Sequence, residues 1–123
     1  MVLELNNMLK KHLVSYKYAM RGIWLAFRYE ANMVFHLIGT IAVLILNSVL
    51  EVSRVDWVIT LALIGVVMMS EIFNTALEKL ANRITHDQDA LIGQAKDLSA
   101  GAVLIMGIAA VICAIMIYWP YLS

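Results

Sequence analysis

Three long apolar segments, separated by one short and one longer polar connection, set the pattern of this chain. They cover about residues 33–50, 57–78 and 98–119. The 18 positions of the first segment carry no formal charge, and at 1.5 Å per residue they span roughly 27 Å, close to the hydrocarbon thickness of a bilayer. The pattern therefore predicts three transmembrane helices. We expect Pro120 to end the third, beside an aromatic interface anchor of Tyr118, Trp119 and Tyr121.

The stretch before the first apolar segment has a different period. From Leu9 to Phe27, apolar residues recur at steps of three and four, while lysines and arginines occupy other faces. A helix in water would leave this apolar stripe wet, so we predict an amphipathic helix over about residues 6–29 lying along the membrane surface. The predicted fold class is all-α, with this surface helix and three transmembrane helices in one membrane-embedded domain, residues 1–123.

The composition agrees with a membrane location. Of 123 residues, 63% are apolar and 15% are charged, which is too apolar for a soluble domain of this size. The formal net charge of zero gives no indication of a nucleic-acid partner. Cys113, the one cysteine, lies in an apolar run and is expected to act as a small hydrophobe. The first residues lack the features of a signal peptide, so we expect no cleavage.

Positive charges are distributed unevenly around the three predicted spans. Five lysines and arginines precede the first span, one lies between the first two, three lie between the last two, and none follows the third. By the positive-inside rule, the N-terminal helix and the second connection are cytoplasmic, and the C-terminus is external.

Polar side chains gather near the cytoplasmic end of the second predicted span. Glu71, Asn74 and Glu78 stand at i, i+3 and i+7, within about 60° of one another on one helix face. A carboxylate inside a membrane is costly, so it usually faces a protein interior or a functional site. The full set expected at this membrane level comprises Glu30, Glu71, Asn74, Glu78, Lys96 and Asp97.

This set of residue types indicates a definite chemistry. Carboxylates suit a hard cation such as Mg²⁺, which proteins bind through one or two carboxylates plus substrate phosphates. A lysine suits phosphate charge, and a partly desolvated carboxylate can accept a proton from a lipid hydroxyl. Phosphoryl transfer from a nucleotide to a lipid alcohol fits these parts.

The spacing by itself leaves other interpretations open. In a purely structural interpretation, Glu71 and Glu78 pair with Lys79, Arg83 or Lys96, and these ion pairs hold helices together. A small transporter is another alternative, although it would place its acid nearer the bilayer midplane. A noncatalytic membrane subunit is the third, although it would need no cluster of acids at one leaflet.

Other polar residues give weaker evidence of a functional role. A lone histidine such as His36 is more often a hydrogen-bonded packing residue than a ligand or an acid. His86, Asp87 and Asp89 are expected in a solvated loop. The sequence has no GxxxxGK[ST] loop and no HRD or DFG, so a kinase of this kind would hold ATP without the machinery of soluble kinases.

Two blocks of the sequence resemble a known family. SEIFNTALEKLANRI, followed by GQAKDLSAGAVL, is similar to the signature of the prokaryotic diacylglycerol kinase family, and the resemblance extends over nearly the whole chain. Closer to the N-terminus, the pattern resembles the undecaprenol kinase branch through Tyr18, Ala19, Gly22, Glu30, Asn32 and His36.

The resemblance implies a role for each matching residue. It implies that Glu71 is the general base, and that Glu71 and Ala100 meet the lipid substrate. It assigns Glu30 and Glu78 to the Mg²⁺ that accompanies ATP. The residues that it places around the nucleotide and its phosphates are Tyr18, Glu30, Asn74, Glu78, Lys96 and Asp97.

The resemblance also implies a homotrimer in the bacterial inner membrane with its active site on the cytoplasmic side. The expected activity is ATP-dependent phosphorylation of undecaprenol, with diacylglycerol as the alternative acceptor. Val34, Asn82 and Gln94 depart from residues that are frequent in the family, which leaves the lipid preference and the rim contacts open. Both signature blocks remain intact.

Overall fold

The computed structural model describes all 123 residues as four helices and no strands. They are α1 (Val2–Tyr29), α2 (Ala31–Val49), α3 (Arg54–Ile84) and α4 (Ala90–Leu122). Of these, α2, α3 and α4 are long and apolar enough to cross a membrane. The all-α prediction with three membrane-spanning helices is thereby confirmed at the level of length and composition.

The helix boundaries follow from local chemistry. Glu30 is the single residue between α1 and α2, and its extended backbone (φ −112°, ψ 113°) separates the two helices. Ser53 caps α3 by accepting a hydrogen bond from the Asp56 backbone N–H. Asp89 caps α4 in the same way, accepting from the backbone N–H groups of Leu91 and Ile92. The two interhelical connections on either side of α3 therefore end at side chains suited to start a helix.

The connection from α2 to α3 has a tight geometry. Glu51 adopts a left-handed backbone conformation with φ 49°, and the Val52 N–H bonds the Asn47 carbonyl oxygen at 3.2 Å. This is a common way to terminate a helix, although glycine usually occupies the left-handed position. Val52 is consequently turned inward, where it packs with Ile117 and Tyr118.

Two details differ from the sequence-based expectations. Helix α1 begins at Val2 rather than near residue 6, because nothing in the first residues interrupts helical geometry. The prediction that Pro120 ends the last helix is wrong, since α4 continues to Leu122. Proline removes its own N–H from the hydrogen-bond ladder, but the chain stays helical beyond it, and the Ser123 N–H bonds the Trp119 carbonyl oxygen at 3.2 Å.

A buried polar network joins the three apolar helices at the end near the α2–α3 connection. The Tyr118 hydroxyl donates to Asn47 Oδ1 at 2.6 Å, and Asn47 Nδ2 donates to Thr60 Oγ1 at 2.7 Å. Asn47 is fully buried, and both polar groups of its side chain are paired. The network thus links α2, α3 and α4 without leaving the amide unpaired in a nonpolar environment.

Few residues of the molecule are buried, and many large apolar side chains are exposed. The accessible surface is 9663 Å² and only 10 of 123 residues are buried, whereas a compact soluble protein of this mass exposes about 6600 Å². Exposed apolar side chains continue along α2, α3 and α4. Such a surface requires lipid or further protein around it.

Candidate functional site

Glu71, on the second apolar helix, is a buried carboxylate with one side-chain partner. Glu71 Oε1 lies 2.9 Å from His36 Nε2 of α2, and the two side chains are 8% and 30% exposed. The pair therefore joins α2 to α3. Oε2, the other oxygen of the same carboxylate, has no side-chain hydrogen bond and can accept a proton.

Asn74 and Glu78 continue from Glu71 along the same face of α3. Asn74 Nδ2 lies 3.4 Å from Glu78 Oε1, which is at the long limit of a hydrogen bond. Asn74 Oδ1 is buried and has no hydrogen-bond partner. A buried acceptor without a partner is costly, so this oxygen is suited to a bound cation or a donor group on a substrate.

Glu30, which links α1 to α2, turns its side chain toward α3. Its carboxylate does not cap α2 and instead lies 3.5 Å from Lys79 Nζ. Lys79 also lies 5.9 Å above the ring of Tyr29. These contacts connect the end of α1 to α3 and bring Glu30 to the part of α3 that carries Glu78.

Lys96 lies in a polar pocket at the junction of α3 and α4. Its Nζ donates to Asn82 Oδ1 at 3.3 Å. The cavity measures about 480 Å³ and is also lined by the connecting residues from Thr85 to Asp89. The sequence had indicated only a solvated loop here, whereas the structure makes that loop the wall of a pocket around Lys96.

Three other residues that the resemblance assigns to the site make no side-chain hydrogen bond or ion pair with it within one chain. Tyr18 and Asp97 are exposed and make no side-chain hydrogen bond or ion pair with the rest of the chain, and Ala100 is exposed on α4. A single chain therefore brings together only part of the predicted set.

An apolar crevice lies between α2, α3 and α4, and His36 forms part of its wall. Its volume is about 210 Å³. Apolar walls are contributed by Phe35, Val43, Leu63, Val67, Ala110 and Ile117. Because His36 also bonds Glu71, the buried carboxylate stands next to a space suited to hydrocarbon.

The structure does not contain the ion pairs that the purely structural interpretation requires. Lys79 pairs with Glu30, Lys96 bonds Asn82, and Arg83 forms no ion pair, so none of the three cations meets Glu71 or Glu78. His36 does form a hydrogen bond, as expected for a packing residue, but its partner is the residue that matters most to the predicted chemistry. No local sequence signal pairs positions 35 residues apart.

The donor set fits a magnesium ion better than a softer metal. No three His, Cys, Asp or Glu side chains converge within the chain. Mg²⁺ commonly uses one or two carboxylates and completes its coordination with substrate phosphates and water. Glu30, Glu78 and the unpaired Asn74 oxygen are all hard oxygen donors, so the residues fit a metal that arrives with a nucleotide.

Comparisons with known proteins extend over nearly the whole chain. A family model described as "Prokaryotic diacylglycerol kinase" matches residues 17–118. The undecaprenol kinase of Bacillus subtilis (strain 168) is 37% identical over 116 residues, 94% of each chain. The diacylglycerol kinase of Escherichia coli (strain K12) is 30% identical over 104 residues, 85% of each chain. The diacylglycerol kinase of Synechocystis is 36% identical over 81% of this chain and 58% of its own length.

Proposed function

Since the chain belongs to the prokaryotic diacylglycerol kinase family and is a lipid kinase, we propose that it transfers the γ-phosphoryl group of ATP to undecaprenol. The whole chain would form one lipid kinase domain. The observation that carries the mechanism is the buried Glu71 carboxylate, bonded to His36 and placed beside an apolar crevice. The match to an undecaprenol kinase supports the choice of acceptor over diacylglycerol.

In the proposed reaction, Glu71 is the general base. Its free Oε2 accepts the proton of the lipid hydroxyl as the hydroxyl oxygen forms a bond to the γ-phosphorus. The bond between that phosphorus and the β–γ bridging oxygen breaks, and ADP leaves with the electron pair. Positioning and charge stabilisation supply most of the catalysis in phosphoryl transfer, so one base in a water-poor site suffices.

The nucleotide would lie nearer the α3–α4 connection than Glu71 does. Glu30 and Glu78 would hold Mg²⁺, which when bound neutralises phosphate charge. Asn74 and Lys96 would hold the reacting phosphates, with Asp97 supporting the site and Tyr18 near the nucleotide. The pocket around Lys96 supports this placement, because it is polar and adjoins the same end of α3.

The lipid chain would run from Glu71 into the apolar crevice, with Ala100 as a further lipid contact. In this placement the lipid's hydroxyl group meets the carboxylate, and its hydrocarbon chain lies between the helices. Gly39 lines this crevice, and a Cβ added there meets no atom within 4 Å. A larger side chain at Gly39 would therefore begin in open space and extend into the crevice that we assign to the lipid.

We expect Gly39→Leu to raise the KM for the lipid by on the order of tenfold, because its side chain competes with hydrocarbon for the same space. The KM for ATP should stay within about twofold of its original value. Gly65→Leu is the matched control, since Gly65 also has open space around its Cβ position and does not line the crevice. Equal effects of both variants on the lipid KM would contradict this placement of the chain.

A paired assay tests the acceptor. Purified protein is supplied with ATP and Mg²⁺ and with undecaprenol or diacylglycerol in the same detergent, and the phosphorylated lipid is measured. We expect kcat/KM for undecaprenol to exceed that for diacylglycerol by about tenfold or more. A preference for diacylglycerol would reassign the acceptor and leave the reaction type standing.

The proposed location is the bacterial inner membrane, with α1 along its cytoplasmic surface and the active site on that side. The count of lysines and arginines supports this orientation. We expect ATP added outside sealed vesicles to be consumed only by vesicles whose cytoplasmic face points outward. Consumption by vesicles of the opposite orientation would reverse the topology.

The proposed assembly is a homotrimer. Tyr18 and Asp97 make no side-chain hydrogen bond within one chain, and much apolar surface stays exposed. Both observations support sites completed by residues of a neighbouring copy. Native mass spectrometry of the detergent-extracted protein should give the mass of three chains, and a monomer with full activity would exclude this arrangement.

A further inference from the structure

The contact between His36 and Glu71 has a consequence for the reaction itself. We propose that His36 is a positioning residue that holds the Glu71 carboxylate in its reactive orientation. This inference rests on the proposed function, in which Glu71 is the general base. It assigns to His36 a role that its position in α2 alone does not indicate.

His36 is the one side-chain hydrogen-bond partner of Glu71. Glu71 has three rotatable side-chain bonds and makes a single side-chain hydrogen bond, to His36 Nε2 at 2.9 Å. A carboxylate accepts hydrogen bonds, so His36 must present an N–H at Nε2. No other side chain fixes the orientation of the carboxylate plane.

The contact with His36 makes the two oxygens of the Glu71 carboxylate unequal. His36 occupies Oε1 and leaves Oε2 free, so one oxygen is held and the other can receive a proton. Misplacing a reacting group by about 1 Å can cost on the order of a hundredfold in rate. A carboxylate that can rotate away from the lipid hydroxyl would therefore be a poor base even if it remained ionised.

His36 lies at the wall of the apolar crevice as well as beside Glu71. His36 lines the apolar crevice while its ring reaches Glu71, so it stands between the proposed hydrocarbon path and the base. Thr40, one turn further along α2, bonds only the His36 carbonyl oxygen and does not reach the carboxylate. The connection to the base consequently depends on the ring of His36.

A purely structural role is the competing explanation, because the same hydrogen bond ties α2 to α3. Loss of a structural tie would change stability and assembly, whereas loss of a positioning contact would change kcat at unchanged substrate KM values. The two explanations also differ in the effect of a replacement side chain that places an N–H at the position of His36 Nε2. Such a side chain restores the rate if His36 is a positioning residue.

The test compares four variants of the full chain, each assayed with ATP, Mg²⁺ and undecaprenol, with thermal unfolding measured alongside. We expect His36→Leu to lower kcat between about tenfold and a hundredfold, up to the loss that a misplacement of about 1 Å in a reacting group can cause. The KM values for lipid and ATP should stay within about twofold.

His36→Gln should recover most of the rate because its amide N–H reaches about as far as Nε2, whereas the shorter His36→Asn should not. Ser70→Ala, which removes only a bond to the Val67 carbonyl oxygen next to Glu71, should leave kcat unchanged.

A double mutant separates this inference from the proposed function. Adding His36→Leu to Glu71→Gln should cause no further loss, since the contact acts only through the base. A normal kcat in His36→Leu, or equal rates in the Gln and Asn variants, would overturn the role of His36 while Glu71→Gln stays impaired. Normal turnover in Glu71→Gln would instead overturn the general base itself. Because His36→Asn keeps a polar side chain, it gives a reading even where His36→Leu fails to assemble.

Discussion

We expect Glu71→Gln to lower turnover by on the order of a hundredfold or more, the usual effect of losing a general base. The glutamine keeps the size of the side chain, and its carbonyl oxygen can still accept from His36 Nε2, so the packing of α2 on α3 should persist. What it loses is the ability to take the proton of the lipid hydroxyl. The measurement is kcat at saturating ATP and lipid, together with the Kd for ATP in the presence of Mg²⁺.

The Kd for ATP should change little in this variant, because Glu71 lies about 10 Å along the helix axis from Glu78 and away from the proposed metal. Glu51→Gln is the matched control, as it makes the same substitution on an exposed residue of the α2–α3 connection. Normal lipid turnover in Glu71→Gln, or a loss of ATP binding comparable to that in Glu78→Gln, would show that the division of roles is wrong.

Glu78→Gln should weaken Mg²⁺-dependent nucleotide binding itself, by on the order of tenfold to a hundredfold in Kd. Glu78 is half-buried beside Asn74, whose Oδ1 has no partner, so its carboxylate is one of the hard oxygen donors at this level. An amide oxygen is a weaker ligand for Mg²⁺ than a carboxylate, because it carries no charge. Titrating ATP with and without Mg²⁺ measures the effect.

The decisive comparison for Glu78 is between the two titrations. The variant should lose affinity for ATP only when Mg²⁺ is present, and Glu51→Gln should lose none in either condition. Equal losses with and without Mg²⁺ would indicate a role in binding the nucleotide directly. An unchanged Kd with a reduced kcat would move Glu78 from the metal to the reacting groups.

The periodicity of the sequence was sufficient to predict the helices but not their ends. The apolar segments around 57–78 and 98–119 lie within longer helices, Arg54–Ile84 and Ala90–Leu122. Hydropathy identifies the part of a helix that lipid can surround, whereas the helix continues until a cap or a break stops it. Asp89 supplies such a cap for α4. At the other end, the helix continues past Pro120 to Leu122, contrary to the prediction that Pro120 ends it.

The sequence by itself also determined which residues share a face within one helix. Glu71, Asn74 and Glu78 could be placed together because helical geometry fixes the angle between residues of known spacing. The two signature blocks likewise indicated the family, and the match over residues 17–118 confirms it. Local geometry and a recognisable pattern of residue types are both properties of the linear chain.

Only the tertiary structure decided which residues of different helices meet. His36 bonds Glu71, and Glu30 pairs with Lys79, although Lys79 was one of the partners that the sequence allowed for Glu71 and Glu78. These pairings depend on how each helix is rotated about its axis and on the direction that Glu30 gives the chain between α1 and α2. Those rotations depend on packing between residues that are far apart in sequence, so the spacing of residues within one helix does not predict them.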